Sequence, residues 1–452
     1  MKNGIFEDSY INQVLSLVNS VHPAQASADS ILTDTTSFFI NDAKSTRTQL
    51  DLKIDIAALQ DDIAFAEAPS PEKQKQLNAL INQLEMAKQE DDNARHQRLT
   101  RVRKICQSVY EFCEGESLAE SQAKTAKFMA ALWLISEQNT GKLQRLHQRL
   151  KAPYKIALTL RLVDRVIQNQ LKSVPNWQKF ESPEMRFKSH ENQQEWFATV
   201  AMPAMVGALF QDSGLQHPLA LRLLHGKDGK ADPFRVLTAE ERQSLLKMNY
   251  RFSVDYVTLG LGVDYATDYA SPEQQVLAHA TTLELVKDAY KPKSGIGEIL
   301  KIPQIYTSVV LSTKPDVNRE NVPKSCLLID QLGKKGVLNA NMASEFHRMT
   351  GIFPQGFGVV STKHKSIVLG LYPPKPHEPH TIPLLSRDDV PVNQKRVPLA
   401  KAENQYFTDS SASQQPSPTV DSPLVKSTTQ TVQRTWLASE HYEKWMRRWQ
   451  KL

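Results

Sequence analysis

In this chain an Asp follows a Gln at the end of a long apolar run, and such a position could hold a catalytic residue. The run "FATVAMPAMVGALF" ends at Phe210, and "QDSG" follows it, with Gln211, Asp212 and Gly214. A His at position 211 would make a His-Asp dyad, a pair that binds a divalent metal and activates water for phosphodiester hydrolysis. The Gln amide is neutral and a poor ligand for transition metals. The pair alone leaves two interpretations open, a catalytic site that lacks a ligand and an accident of composition.

Three further stretches follow "ALFQDSGL" in order. "LTAEER" from Leu237 predicts a helix start with Thr238 as N-cap, "IPQIYTSVV" contains Gln304, and "GIFPQGFGVV" opens a β-rich stretch. In this order the stretches resemble the HD-GYP family, the helical metal-dependent phosphodiesterases that act on cyclic di-GMP. The resemblance covers roughly residues 154–385. It implies an HD-type helical bundle with a small β-rich tail.

The resemblance also implies which positions would hold the metals. The family's ligand positions fall on Gln211, Asp212, Asn249 (or its neighbour Met248), Gln274, Gln275 and Gln304. Most of these side chains are uncharged, and one surviving carboxylate cannot hold a binuclear centre. The simplest role for Asp212 is to cap a helix or to pair with a basic residue. We therefore expect a vacated metal site and no cofactor.

An alternative remains open at this stage, an active phosphodiesterase with a displaced ligand set. Such an enzyme would hold Mn or Fe through Asp212 and some of the nearby histidines, His190, His217, His225 and His279. No carboxylate partner stands at ligand spacing from these histidines, which favours ordinary surface or core roles. The chain also lacks a Walker or Rossmann glycine loop in the right context, a nucleophile elbow and a CxxC motif.

Composition narrows the class of protein. The 452 residues carry a net charge of +6, and the charges are spread along the chain, so we do not expect a nucleic-acid polymer as the main ligand. Three cysteines without metal-type spacing fit a reducing cytoplasm. The N-terminus lacks the apolar core of a signal peptide, and the longest apolar run is too short to span a bilayer.

The pattern of residues 1–116 predicts an N-terminal helical hairpin, and the spacing of its apolar residues also allows a coiled coil. The first helix is expected from Thr46, with apolar residues at Leu50, Ile54, Ala57 or Ala58, and Ile63. "APSPEK" breaks it, and Ser70 and Pro71 mark the start of a second helix. Two interpretations stay open, an arm for dimerisation or partner docking and a helical subdomain folded on the main body.

The rest of the chain divides by composition. Residues 117–350 predict the HD-GYP-like helical domain, 351–398 a small β-rich module, and 399–434, rich in Ser, Thr, Gln and Pro, a disordered linker. Residues 435–452 predict an amphipathic helix in which Tyr442, Trp445 and Trp449 share a face. That face suits a partner groove, an anionic membrane surface or the protein's own body.

These observations predict a mainly α-helical protein, a multi-helix HD-type bundle with the hairpin, β-rich module and tail appended. The resemblance implies a bacterial cytoplasmic signalling, regulatory or scaffold protein that is not catalytic and has a link to cyclic di-GMP. A protein partner would bind the helical hairpin or the C-terminal Trp helix. A pure interaction protein, with the helical core as a platform, is a further hypothesis.

Overall fold

Amphipathic segments separated by short polar breaks give a mainly α-helical structure, as the sequence predicts. The computed structural model describes residues 10–24, 28–66, 68, 70–137, 143–267, 270–314, 322–361, 365–384 and 396–408. Its α-helices are α1 (Tyr10–Val21), α2 (Ile31–Ala64), α3 (Pro71–Cys113), α4 (Leu118–Glu137), α5 (Leu143–Gln168), α6 (His190–Trp196), α7 (Met202–Phe210), α8 (Pro218–His225), α9 (Ala239–Asp255), α10 (Pro272–Tyr290), α11 (Glu298–Val310), α12 (Val322–Cys326), α13 (Leu328–Lys334), α14 (Ala340–Thr350) and α15 (Gln405–Thr408).

A four-stranded antiparallel sheet follows the helices. Its strands pair in chain order and are β1 (Gly358–Val360), β2 (Lys365–Val368), β3 (His380–Leu384) and β4 (Val397–Pro398). The register aligns Val359 with Ser366 and Ile367 with Ile382. The four strands lie within the stretch from 351 to 398 for which the composition predicts β-structure.

Helix α5 lies at the centre of the helical body. Almost every residue from Pro153 to Ile167 is buried, because α1, α4, α7, α11 and α14 all pack against it. A helix that is apolar all round is typical of such a position. Three charged residues, Lys155, Arg161 and Asp164, are nevertheless buried within it. Each therefore needs a partner of opposite charge inside the protein.

Arg161 and Asp164 belong to a buried network of four charges. Arg161 Nη2 donates to Glu114 Oε2 at 2.8 Å, and Arg186 Nε donates to Glu114 Oε1 at 2.5 Å. The same two arginines lie 3.1 Å and 3.0 Å from the Asp164 carboxylate. Arg186 also stacks on Trp196, 4.5 Å from the ring centroid. The network joins the end of α3 to α5 and to the 3₁₀ turn that contains Arg186.

One π-helical turn lies directly before α7, and another lies directly after α9. Residues Phe197–Ala201 join α6 to α7, and residues Tyr256–Leu261 extend α9. Arginines of α3 cover the end of the second turn, since Arg98 donates to Gly260 O at 3.0 Å and Arg95 to Leu261 O at 2.9 Å. The carbonyls that a helix end leaves unpaired are thereby satisfied.

The N-terminal hairpin forms, but the expected start of its first helix is wrong. Helix α2 begins at Ile31, not at Thr46, and Ser30 caps it through a reciprocal pair of bonds with Thr33. The first turns of α2 pack into the body through Ile31, Thr35 and Phe38. Helix α3 begins at Pro71 as predicted, although the Ser70 side chain makes no capping bond.

The apolar seam of the hairpin differs in phase from the expected one. Leu50 and Ile54 are 54% and 57% exposed. The half-buried residues of α2 instead repeat three and four apart as Leu52, Ile56, Leu59 and Ile63. In α3 the buried Leu77 and the half-buried Leu80, Leu84 and Ala87 follow the same heptad spacing. This spacing is typical of a two-helix coiled coil, and we call residues 41–94 the arm.

The "GIFPQGFG" stretch is a packing motif. Gly356 has a φ of +90°, and a Cβ there would lie 2.8 Å from Trp133 and 3.0 Å from the Ala130 carbonyl. Gln355 is buried and accepts a hydrogen bond from Gly370 N at 2.7 Å. The Gly356 turn, which leads into the sheet, thus packs directly against α4.

The predicted disordered linker begins too early. Residues 399–408 fold onto the sheet: Asn404 bridges to Ser361, and the buried ring of Tyr406 lies 5.1 Å from that of Phe353. Buried Leu399 adds a further apolar contact, so the stretch has more apolar anchors than its composition suggests. Residues 409–434 and the whole 435–452 segment, with Tyr442, Trp445 and Trp449, lie outside the described residues. Among the helices that are described, none is long and apolar enough to cross a membrane.

Candidate functional site

The "QDSG" turn after α7 is held tightly against α9. Gly214 N donates to Ser253 Oγ at 2.9 Å, and Ser253 Oγ donates to the Gln211 carbonyl at 3.0 Å. A Cβ on Gly214 would lie 2.4 Å from the Asn249 carbonyl oxygen, so only glycine fits. The turn therefore places Asp212 at a fixed position beside α9.

Asp212 accepts hydrogen bonds from three different helices. Lys155 Nζ of α5 lies 2.9 Å from Asp212 Oδ2. Asn249 Nδ2 of α9 and Gln304 Nε2 of α11 donate to Oδ1 at 3.2 Å and 2.7 Å. Lys155 is 4% exposed, whereas 36% of the Asp212 side chain is exposed. The carboxylate is therefore the accessible end of a largely buried polar cluster.

Tyr290, the last residue of α10, connects the cluster to the backbone of the turn. Asn249 Nδ2 donates to Tyr290 Oη at 2.5 Å, and Tyr290 Oη donates to the Gln211 carbonyl at 2.5 Å. Burial raises the pKa of Tyr290, and the nearby Asp212 charge raises it further. The phenol therefore stays protonated and acts as a donor at neutral pH.

Local charges set the ionisation of the cluster. Burial raises the pKa of Asp212, but the Lys155 charge and the donated hydrogen bonds outweigh it and hold that pKa below its usual value. Burial lowers the pKa of Lys151, one turn before Lys155, to about 8, with Asp212 opposing and Lys155 adding to the effect. At pH 7 Asp212 is therefore a carboxylate, and the Lys151 amine is still mostly protonated.

Two cavities open on either side of Asp212. The smaller, about 280 Å³, lies against α1, α2 and α5 and is lined by Arg149 and Lys151 among others. The larger, about 920 Å³, lies between α9, α10 and α11, with Tyr250, Lys291 and Lys301 in its lining. Asp212 and Gln304 line both cavities. The larger cavity is in the size range of small-molecule sites.

The donor set does not fit the divalent metals that the HD-GYP resemblance implies. Both oxygens of Asp212 already accept bonds from an ammonium or an amide NH₂. Such donors compete with a metal for the carboxylate lone pairs, and Lys155 adds a fixed positive charge beside it. Within the described residues no group of three or more His, Cys, Asp or Glu side chains could hold a metal ion.

The structure brings together three of the six side chains at the ligand positions that the resemblance implies. Asp212, Asn249 and Gln304 are in direct contact. Gln211 contributes its backbone carbonyl from the same turn, but its side-chain amide is buried and makes no hydrogen bond among the described residues. The structure also resolves the choice between neighbours at the α9 position, since Asn249 rather than Met248 contacts Asp212.

The assignment of Gln274 and Gln275 to this site is wrong. Gln274 forms a capping box with Ser271 at the start of α10. Gln275 accepts a hydrogen bond from Ala266 N and donates one to Thr267 O, both in the loop before α10. The α10 residue at the site is Tyr290, about 22 Å further along the helix axis at 1.5 Å per residue. Counting back from Gln304 therefore selected the wrong end of the helix.

The four histidines do not form a second ligand set. His190 is exposed at the start of α6, and His225 ends α8. His217 stacks on Phe252 at 3.5 Å between ring centroids and accepts a bond from Leu219 N at the start of α8. His279 is buried in α10 beside Tyr265. Their roles are local.

Sequence reasoning missed Lys155 and Tyr290. Lys155 had a visible signal, because it stands inside the apolar stretch "PYKIALTLRLV", where a charged residue needs a buried partner. Tyr290 had none, since a Tyr at a helix end is compatible with many roles.

The buried Gln211 amide offers a test of stability by substitution. Its side chain is fully buried, and neither amide atom has a hydrogen-bond partner among the described residues. We expect Gln211→Met to raise the free energy of unfolding by about 1–2 kcal/mol, because it removes an unpaired buried amide at similar volume. Urea denaturation followed by circular dichroism measures the change.

The matched control is Gln355→Met. Gln355 is equally buried, but its amide oxygen accepts a bond from Gly370 N. We expect this variant to be less stable than the parent protein, since the Gly370 N–H loses its acceptor. A fall in stability for Gln211→Met as large as for Gln355→Met would show that the Gln211 amide is paired.

Family models, curated proteins and solved structures were each compared with the chain, and none matches.

Proposed function

We propose that this chain is a noncatalytic signalling or regulatory protein whose larger cavity, beside Asp212, binds a phosphate-bearing ligand without hydrolysing it. The contact that carries the proposal is the 2.9 Å pair between Lys155 Nζ and Asp212 Oδ2. A hydrolase of the HD-GYP type needs a divalent cation at this carboxylate to activate water. Here the lysine supplies a positive charge that cannot activate water, so binding is retained and hydrolysis is lost.

The charges around the larger cavity favour an anionic ligand. Lys247, Arg251, Lys291 and Lys301 line it, against the carboxylates of Asp212 and Asp255. Tyr250 presents an aromatic ring, and Lys291 Nζ lies 4.6 Å from its centroid. Aromatic rings stack on nucleobases, and lysines pair with phosphates. A cyclic dinucleotide, the ligand class of the HD-GYP resemblance, combines both groups.

The first test looks for hydrolysis. The full chain is incubated with Mn²⁺ or Fe²⁺ and cyclic di-GMP, the products are separated by chromatography, and bound metal is measured by elemental analysis. We expect neither turnover nor stoichiometric metal. Turnover that Asp212→Ala abolishes would overturn the proposal in favour of an active phosphodiesterase with an unusual ligand set.

The second test measures binding. Isothermal titration with cyclic di-GMP is compared between the parent chain and Lys301→Gln, which removes one positive charge from the larger cavity. We expect about tenfold weaker binding for the variant, the effect of losing one charge-assisted hydrogen bond. Lys88→Gln, an exposed lysine on α3 outside the cavity, is the matched control. Equal affinities for all three proteins, or no binding by the parent, would contradict the ligand assignment.

We further propose that the protein works in the cytoplasm. The described cysteines, Cys106, Cys113 and Cys326, are all buried and form no disulfide. Burial raises the pKa of each thiol to about 12, so the reactive thiolate is scarce at neutral pH. This thiol chemistry is typical of proteins from reducing compartments.

A further inference from the structure

Helix α2 carries an apolar strip on the side that faces away from α3. Leu50 and Ile54 are 54% and 57% exposed, and Phe65, just past the helix end, is 87% exposed. Exposed alanines extend the strip between and beyond these residues, at Ala43, Ala57, Ala58 and Ala64. Together with Arg47 and Asp61 these residues are called the outer strip.

The outer strip has the spacing of a coiled-coil seam. Its members at 43, 47, 50, 54, 57, 61 and 64 alternate steps of four and three, the a and d positions of a heptad repeat. At 100° per residue they lie about 160° around the helix from the seam that packs on α3. One helix therefore has two such seams, and the outer one faces solvent.

We infer that the outer strip pairs with the same strip of a second copy of this chain, in antiparallel orientation, with Ile54 on the two-fold axis. Arg47 and Asp61 are the charged members of the strip, and each lies seven residues from Ile54. Antiparallel pairing about Ile54 places Arg47 of each copy opposite Asp61 of the other. The strip is thus complementary to itself, as a two-fold interface requires.

The existing partner of Arg47 does not hold it in place. Arg47 Nε lies 3.9 Å from Asp51 Oδ2, and the two side chains are 84% and 63% exposed. An exposed pair of this kind contributes little stability. Arg47 is therefore available to a partner on a second chain.

The length of the arm also fits this pairing. Residues 43–65 span about 33 Å at 1.5 Å per residue. The same pairing brings Phe65 of one copy against Ala43 of the other, just beyond the turns of α2 that pack into the body through Phe38. The overlap thus covers the part of α2 that does not pack into the helical body. The small alanines allow close approach of the two helices.

The first experiment measures the oligomeric state of the full chain by sedimentation equilibrium. We expect a dimer for the parent protein and a monomer for Leu50→Glu/Ile54→Glu. Met86→Glu is the matched control, since Met86 is 64% exposed on the same arm but lies on α3 outside the strip. It should remain dimeric. A monomeric parent, or a double variant that still dimerises, would overturn the inference.

A charge exchange tests the orientation. Arg47→Asp or Asp61→Arg alone places like charges opposite each other and should weaken dimerisation about tenfold or more. The double variant Arg47→Asp/Asp61→Arg restores opposite charges in the two-fold pairing and should recover the parent affinity. Additive weakening in the double variant would contradict the pairing of Arg47 with Asp61. Circular dichroism checks that every variant keeps its helical content.

Thiol cross-linking separates the antiparallel pairing from a parallel one. A short bismaleimide should link Ile54→Cys into a covalent dimer, because the two thiols meet at the axis. It should not link Phe65→Cys, since the two copies of residue 65 would lie about 33 Å apart. The native cysteines are buried and serve as an internal background. Linking of both variants would indicate a parallel pairing, and linking of neither would indicate no pairing; each result overturns the inference.

Discussion

Arg186→Ala is expected to lower the free energy of unfolding by about 3–5 kcal/mol, the range for removing one member of a buried ion network. Arg186 is completely buried and contacts both carboxylates of the network. Without it, the two carboxylates of Glu114 and Asp164 share the single charge of Arg161 in a buried site. Urea denaturation of the two proteins, followed by circular dichroism, measures the loss.

The control for this prediction is Arg251→Ala, which removes an exposed arginine. Arg251 lies 3.9 Å from Asp255, and the side chains are 77% and 44% exposed. An exposed pair contributes less than about 1 kcal/mol, so this variant should be close to the parent protein. Equal losses in the two variants would show that burial of the network contributes no special stability.

One carboxylate of the same network, Glu114, predicts an acid-dependent loss of stability; burial raises the pKa of the other, Asp164, so Asp164 does not share in this loss. Burial raises the pKa of Glu114, but Arg161 and Arg186 outweigh burial and hold that pKa below its usual value. A carboxyl group with a depressed pKa in the folded state stabilises the protein above its unfolded pKa, which is about 4.3 for Glu. That contribution is lost as the pH falls below about 4. Urea midpoints between pH 7 and pH 3 should fall less for Glu114→Gln, relative to its own value at pH 7, than for the parent.

Gly214→Ala is expected to have the second large effect, a loss of about 1–3 kcal/mol or more from overpacking. The added Cβ would lie 2.4 Å from the Asn249 carbonyl oxygen and 2.8 Å from Ser253 N. Both contacts are with backbone, which cannot move aside as a flexible side chain can. Since the turn also positions Asp212, the proposed binding of cyclic di-GMP should weaken as the thermal midpoint falls.

Gly207→Ala provides the comparison for Gly214→Ala. A Cβ on Gly207 would lie 3.1 Å from a methyl group of Leu300, which can shift by a few tenths of an ångström. The alanine also favours the helix by up to about 1 kcal/mol. Gly207→Ala should therefore be near neutral. Similar losses at both positions would show that crowding at Asn249 does not explain the requirement for glycine.

The sequence predicted the helical class and most helix positions, because the apolar spacing and the caps are local. Thr238 caps α9 in a capping box, as "LTAEER" predicts. The predicted apolar seam of the hairpin lies on the wrong face of α2, because α2 has apolar residues on two faces. Leu50 and Ile54 follow helical spacing as well as Leu52 and Ile56 do. Sequence periodicity alone cannot tell which of two seams packs on α3.

The sequence predicted part of the candidate site. The positions at Asp212, Asn249 and Gln304 follow from the order of the motifs, and the structure brings these side chains into contact. Lys155 and Tyr290 precede or follow the motifs by many residues and reach Asp212 through the packing of α5 and α10. Such contacts depend on tertiary structure, which the spacing of one motif does not contain.

The π-helical turn at Phe197–Ala201 makes the segment between α6 and α7 tolerant of a change in length. A π-turn contains one more residue than the α-helix that it interrupts, and it absorbs that residue locally, so the helices on either side keep their phase. Deleting one residue from this turn should therefore restore a regular α-helix and leave Gln211 buried and Asp212 beside Lys155. Deleting one residue within α7 itself would instead rotate the following residues by about 100° and move Asp212 into the buried place that Gln211 now holds. The same change in chain length is thus harmless at the π-turn and disruptive a few residues later.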